Sequence, residues 1–226
     1  MFFHPMDFLI FLALGLALWA QAKVKGNFEQ WSRVQATSRL SGAQVARQIL
    51  DREGLSHVKV EYSRSGTLSD HYDPRAKVVR LSEPVYNGSS ISSLAVAAHE
   101  VGHAIQDDSN YSMLVLRHRL FPVANIGSQL APILFVGGFL LGITNLIGLG
   151  IILFAGAVLF QVVTLPVEFD ASNRAKNKLL ELGMITNSEE KGVGKVLNAA
   201  ALTYVASTLM ALLQLIKFIL IFRGRR

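Results

Sequence analysis

Residues 123–167 contain no charged side chain. A stretch of that length is about two bilayer crossings of 20 residues each. A backbone in hydrocarbon must satisfy its own N–H and C=O groups, so the segment is expected to fold as a transmembrane helical hairpin. Thr144-Asn145 and Gly148 mark the expected turn, and Pro166 the expected end of the second span, after which 168–183 continues as an amphipathic helix. Gly138 and Gly142 form a small-xxx-small pair that would let two helices approach closely. Two further apolar runs, 2–22 and 199–222, are each long enough to span.

The charges flanking these runs set an expected orientation. No Lys or Arg precedes the first run, whereas Lys23, Lys25, Arg33 and Arg39 follow it. That is the pattern of an uncleaved anchor with its N-terminus outside. The segments 23–122 and 168–198 then face the cytoplasm of a multi-pass cell-membrane protein. Placing Arg223, Arg225 and Arg226 beyond a fourth crossing opposes the positive-inside rule, so the last run either crosses as an exception or lies in the interface. The net charge of +6 on 226 residues would suit nucleic acid. Here the basic residues are dispersed over membrane-flanking loops without a compact aromatic-basic surface, so no nucleic-acid partner is expected. Cysteine is absent, which excludes disulfides, thiolate metal sites and a cysteine nucleophile.

Segment 23–122 reads as the water-soluble part. Ser41 caps an amphipathic helix with Val45, Ile49 and Leu50 on one face and Gly54 as its stop. VKVEY (58–62) and KVVRL (77–81) alternate as strands, joined by a Gly-, Ser-, Asp- and Pro-bearing loop. A second loop, SEPVYNGSS, leads to Ser89 or Ser90 as cap of an apolar helix, ISSLAVAAHEVGHAIQDD. Segment 168–198 opens with an amphipathic helix that Gly183 stops. The expected fold is mainly α, with a two- or three-stranded β element.

The chemistry is concentrated in His99-Glu100-Val101-Gly102-His103. Residues four apart share a helix face, so the two imidazoles can bind one zinc ion from the same side. Glu100 lies beside the metal, placed to take a proton from the attacking water and pass it to a leaving amine. With this composition the pattern arises by chance in roughly one chain in a hundred of this length. Two histidines and a glutamate within an apolar helix are costly without a partner, which favours a metal.

A catalytic zinc takes three protein ligands and leaves one position open. His4 falls on the far side of the first span, which leaves His57, His71 and His118 among the histidines. Glu168 is the acidic candidate, at the point where the hairpin returns to the same membrane face. As an alternative role, a carboxylate there would favour a helix dipole. His118 lies between Arg117 and Arg119, which repel a cation. His71, with Tyr72, could polarise a scissile carbonyl or its oxyanion, or could belong to a turn built on Asp70, Asp73 and Pro74. Arg174 could likewise reach an oxyanion or lie at the surface.

LAVAAHEVGHAIQ, SDHYDP and LPVEFDASNRA together resemble the bacterial YugP-type membrane neutral zinc metallopeptidases, over about residues 45–182. More distantly, EFDAS resembles the E-aromatic-x-A-D stretch of the HtpX-type and CAAX-prenyl membrane proteases. That resemblance implies Glu168 as third zinc ligand. The supporting Asp of that stretch is replaced by Ser172, while Asp170 is an additional acid, so either Asp170 or Ser172 can hold an imidazole N–H. It also implies a zincin-like site, with one Zn2+ per chain held by His99, His103 and Glu168 at the membrane surface.

The expected function is cleavage of peptide bonds in membrane or membrane-proximal proteins, with KVVRL pairing to the substrate backbone by edge addition. Two rival readings remain. One is a site-2-type intramembrane protease, although the L-D-G ligand stretch of that class is absent. The other is a zinc-binding assembly factor that does not cleave, for which Glu100 would be superfluous. Oligomerisation is compatible with every reading.

Overall fold

In a computed structural model, residues 6–64, 66 and 69–224 are described; His4, Arg225 and Arg226 lie outside them. The elements run α1 (Met6–Ser32), α2 (Gly42–Arg52), β1 (Lys59–Tyr62), β2 (His71–Asp73), β3 (Val78–Leu81), α3 (Glu83–Tyr86), α4 (Ile91–Asp108), α5 (Ser112–Leu141), α6 (Thr144–Glu181) and α7 (Asn187–Arg223). The chain forms two compact units. One comprises Met1–Ala20, Ser112–Pro166 and Leu202–Arg226, the other Gln21–Tyr111 and Val167–Ala201.

The first unit holds the most apolar parts of α1, α5, α6 and α7, the four described helices long and apolar enough to cross a membrane. Large apolar side chains such as Phe8, Leu12, Leu140 and Ile152 are exposed on them, as suits a surface facing lipid. α1 and α7 run antiparallel. Asp7 pairs with Lys217 at one end, and Ala17 and Ala20 pack with Leu202 and Ala206 further along. Both side chains are partly exposed, and each charge has the other as its partner.

Several expectations for this unit need correction. The hairpin turn falls at Gly142 and Ile143, where Gly142 adopts φ +68°, and Thr144, Asn145 and Gly148 already belong to α6. Gly142 therefore serves the turn rather than a helix–helix contact, because its left-handed conformation excludes it from the helix. Gly138 does stand at a close approach of the two helices, where a Cβ would lie 3.0 Å from the Ile147 backbone nitrogen, and Gly127 at another, where it would lie 2.3 Å from the Leu153 carbonyl oxygen. Pro166 lies inside α6, a single helix of 38 residues that runs on from the apolar segment into the amphipathic one. A proline removes one hydrogen bond, and neighbouring packing tolerates the loss.

The second unit carries the zincin-like part. Ser41 and Gln44 form a reciprocal capping box on α2, whose Val45, Ile49 and Leu50 are buried, and Gly54 (φ +75°) ends it. Ser90, rather than Ser89, caps α4 by accepting from the Ser93 N–H. α2 and α4 pack over a common core with Val79, Leu81, Leu94, Val101, Leu179 and Val193. The long loop between the expected strands contains a further strand, β2, and the second loop contains the short α3.

The sheet order is β1-β3-β2, with β1 parallel and β2 antiparallel to β3. This overturns the expectation for KVVRL. β3 is the central strand, with both edges hydrogen-bonded, so it cannot receive a substrate strand. Val78, Val79 and Leu81 are buried on both faces, with only the half-buried Arg80 between them, as befits an interior strand. The β2 strand was hidden in the sequence by its three-residue length and its turn residues. Asp70 binds the Ser82 backbone N–H and hydroxyl, while Asp73 accepts from the N–H groups of Arg75 and Ala76 and from Arg80.

Candidate active site

His99 and His103 lie one turn apart on α4, and Glu168 lies on α6 two residues beyond Pro166. The helices can meet this closely because position 102 is glycine. A Cβ there would stand 2.6 Å from the Ala171 carbonyl oxygen. Glu168 Oε2 is 3.3 Å from His99 Nε2 and 3.6 Å from His103 Nε2. The imidazole rings stand nearly perpendicular, at 82°, with centroids 4.8 Å apart. One donor atom from each of the three residues falls within 4.8 Å of the others.

Two imidazole nitrogens and one carboxylate oxygen converging at partial burial form the donor set that suits Zn2+. Glu168 is only 3% exposed, so its charge is stabilised within the protein rather than by water. Burial opposes its ionisation, but hydrogen bonds with His103 and His99 prevail and hold its carboxyl well below the usual range. For His103, burial disfavours the proton, while Glu168 and the charge of Glu100 outweigh that and raise its pKa. Glu100 sits next to His99 on α4 and is 8% exposed.

The ring nitrogens remote from Glu168 also have partners. Ser172 Oγ is 3.2 Å from His99 Nδ1, and Gln106 Oε1 is 3.0 Å from His103 Nδ1. Asp170 meets the Gln106 amide at 2.8 Å and Arg174 Nε at 2.6 Å. Of the two alternatives for contacting an imidazole, the structure thus places Ser172 there, with Asp170 one residue further out. Gln106 was missed as a site residue. Its signal is a buried amide three residues after His103, on the same helical face, in an otherwise apolar run.

Arg174 also lies 5.9 Å from the centre of the Tyr111 ring. His71 is exposed on β2, with Nδ1 2.8 Å from the Ser69 carbonyl oxygen and Nε2 3.5 Å from Arg80. Its neighbour Tyr72 donates to Asp107 at the end of α4, which raises the phenol pKa through burial and that bond. His57 is exposed just before β1, and His118 is on α5, in the other unit.

A family model described as "Putative neutral zinc metallopeptidase" matches residues 6–223. The chain belongs to this family. It is also 60% identical over 219 residues to the "Putative membrane protease YugP" of Bacillus subtilis (strain 168), covering 97% of each chain. No solved structure matches. Together with the four apolar helices, these relationships make the chain a multi-pass membrane protein of a zinc metallopeptidase family, with Zn2+ as its cofactor.

Proposed function

We propose that this chain is a zinc-dependent endopeptidase of the gluzincin type, acting at the cytoplasmic face of the cell membrane on membrane or membrane-proximal proteins. The carrying observation is the buried convergence of His99, His103 and Glu168 with Glu100 beside it. When bound, Zn2+ supplies Lewis-acid polarisation of the scissile carbonyl and lowers the pKa of the attacking water. The Glu100 carboxylate takes a proton from that water and delivers it to the leaving nitrogen. The amide bond breaks, with a carboxylate and an amine as products.

β2 is the strand best suited to receive a substrate backbone. It pairs on one side with β3 and, among the described residues, has no second strand neighbour. Tyr72 ties it to Asp107 of α4, the helix that carries both histidines. An extended segment added there would align its amides by main-chain hydrogen bonds. The membrane-proximal substrate class is supported by Glu168 lying on the same continuous helix as an apolar spanning segment. The cytoplasmic assignment rests on the 13 Lys and Arg residues of 23–122. The site-2-type alternative is less favoured because α4 is not among the four candidate spans and is packed with a β-sheet.

Metal analysis of detergent-purified protein tests the ligand set. Wild type is expected to hold about one zinc per chain, and His99→Ala, His103→Ala and Glu168→Ala each to lose most of it. Full occupancy in Glu168→Ala would remove that residue from the metal.

A further inference from the structure

Gln106 has no exposed surface, and each of its polar atoms has a partner. Its Nε2 lies 2.8 Å from the Val167 carbonyl oxygen and 2.8 Å from Asp170 Oδ2. Its Oε1 lies 3.0 Å from His103 Nδ1. This arrangement determines which way the amide points. A backbone carbonyl can only accept, and so can a carboxylate, so both neighbours require the NH2 end. Reversing the amide would set its oxygen against two acceptors inside the protein, with no water to relieve them.

The orientation of the amide has a consequence at the imidazole. Its oxygen can only accept, so the hydrogen bond to His103 exists only when Nδ1 carries the proton. In a neutral ring that leaves the lone pair on Nε2, the atom that faces Glu168. His99 differs. Its Nδ1 meets the Ser172 hydroxyl, which can either donate or accept and so imposes no tautomer.

We propose that Gln106 is a positioning residue that fixes His103 in the tautomer able to bind the metal, and that Asp170 and Arg174 hold Gln106 in its working orientation. Arg174 Nε donates to the same Asp170 oxygen, at 2.6 Å, that receives the Gln106 amide. The result is a directed chain of N–H donors: Arg174 to Asp170, Gln106 to Asp170, and His103 to Gln106. This inference rests on the reading that His99, His103 and Glu168 hold zinc. It assigns Arg174 to support of the ligand set rather than to an oxyanion.

The test is zinc affinity of the full-length protein in detergent at pH 8, measured by competition with a chromophoric chelator. Gln106→Met keeps the length of the side chain and removes both polar ends. Its affinity is expected to fall roughly 10- to 100-fold, as for loss of other groups that orient metal-binding imidazoles. Ser172→Ala is expected to fall less. Gln106→Glu should also weaken binding, because the new carboxylate meets Asp170 and the Val167 carbonyl. Adding Asp170→Asn exchanges the acid and the amide. With its Nδ2 in the place of Oδ2, the introduced amide can donate to the introduced carboxylate, which still accepts from His103 Nδ1, while the partly exposed Arg174 must turn to the amide oxygen at the other end. The double variant should therefore recover at least about tenfold of the affinity lost by Gln106→Glu. Unspecific damage predicts further loss instead of recovery.

His103→Ala, measured alongside, separates two failures. If it binds zinc as wild type does, the ligand assignment itself fails. If it loses zinc while Gln106→Met binds normally, only the positioning role is overturned. The role is also overturned if Gln106→Glu with Asp170→Asn binds no better than Gln106→Glu.

Discussion

Gly102 provides a test of how closely the ligand set depends on helix spacing. In Gly102→Ala the added Cβ would lie 2.6 Å from the Ala171 carbonyl oxygen and 3.1 Å from its Cα. These are backbone atoms, so no flexible side chain can move aside. Restoring ordinary contact requires α4 and α6 to part by roughly 0.5–1 Å, and strain of this kind typically costs ~1–3 kcal/mol. The same substitution gains about 1 kcal/mol of helix propensity. Gly194→Ala is the matched control, since its Cβ would meet nothing within 4 Å. Relative to that control, Gly102→Ala should be destabilised by about 1–3 kcal/mol. The effect on the metal should be larger than stability alone implies. Both histidines ride on α4 and Glu168 on α6, and metal–ligand distances tolerate only about 0.2 Å of variation. Thermal unfolding with and without zinc, together with chelator competition, should show both a lowered midpoint and weakened zinc binding. Equal midpoints and equal affinities for the two variants would refute the claim that glycine is needed for this approach.

Three further outcomes follow from other parts of the molecule. Glu189 accepts from the Thr186 and Thr37 N–H groups; burial opposes its ionisation, but these bonds prevail and lower its pKa. Its stabilisation is then present above its unfolded value of 4.5 and lost as pH falls through the lower folded value. Glu189→Gln should lower stability by about 1 kcal/mol near neutrality, with the difference from wild type shrinking in acid unfolding curves. A reporter inserted near Asn87 should read cytoplasmic, and reporters at the two chain ends should share the opposite side, because α1 and α7 are antiparallel and paired through Asp7 and Lys217. Ends on opposite sides would contradict that arrangement. Replacing Asp73 with Asn should loosen the β2–β3 turn and broaden hydrogen exchange there, while zinc content measured in parallel should stay unchanged, since its partners are Arg75, Ala76 and Arg80.

The legible parts of the fold were those written in strong local chemistry. The apolar runs, the Ser41 and Ser90 caps, the Gly54 and Gly183 stops and the paired histidines each announce themselves over a few residues. What was not legible depends on contacts between distant segments. The central place of β3 requires β2, whose three residues look like turn. Gly142 read as a packing residue, because small size serves a tight turn as well as a helix crossing. Gln106 was passed over because its partners, Val167 and Asp170, lie more than 60 residues away, and only their positions give its amide a direction.

The central claim is that this site hydrolyses peptide bonds through Glu100. Glu100→Gln preserves the shape of the side chain and removes its ability to take a proton, and Glu100 is not among the three converging residues that could hold a metal. Zinc content and cleavage of a flexible protein such as casein, measured on the same detergent preparations, give a direct answer. Zinc content should match wild type while the cleavage rate falls at least about a hundredfold, the usual worth of a positioned acid–base group. Cleavage by Glu100→Gln at the wild-type rate, with zinc retained, would contradict the account.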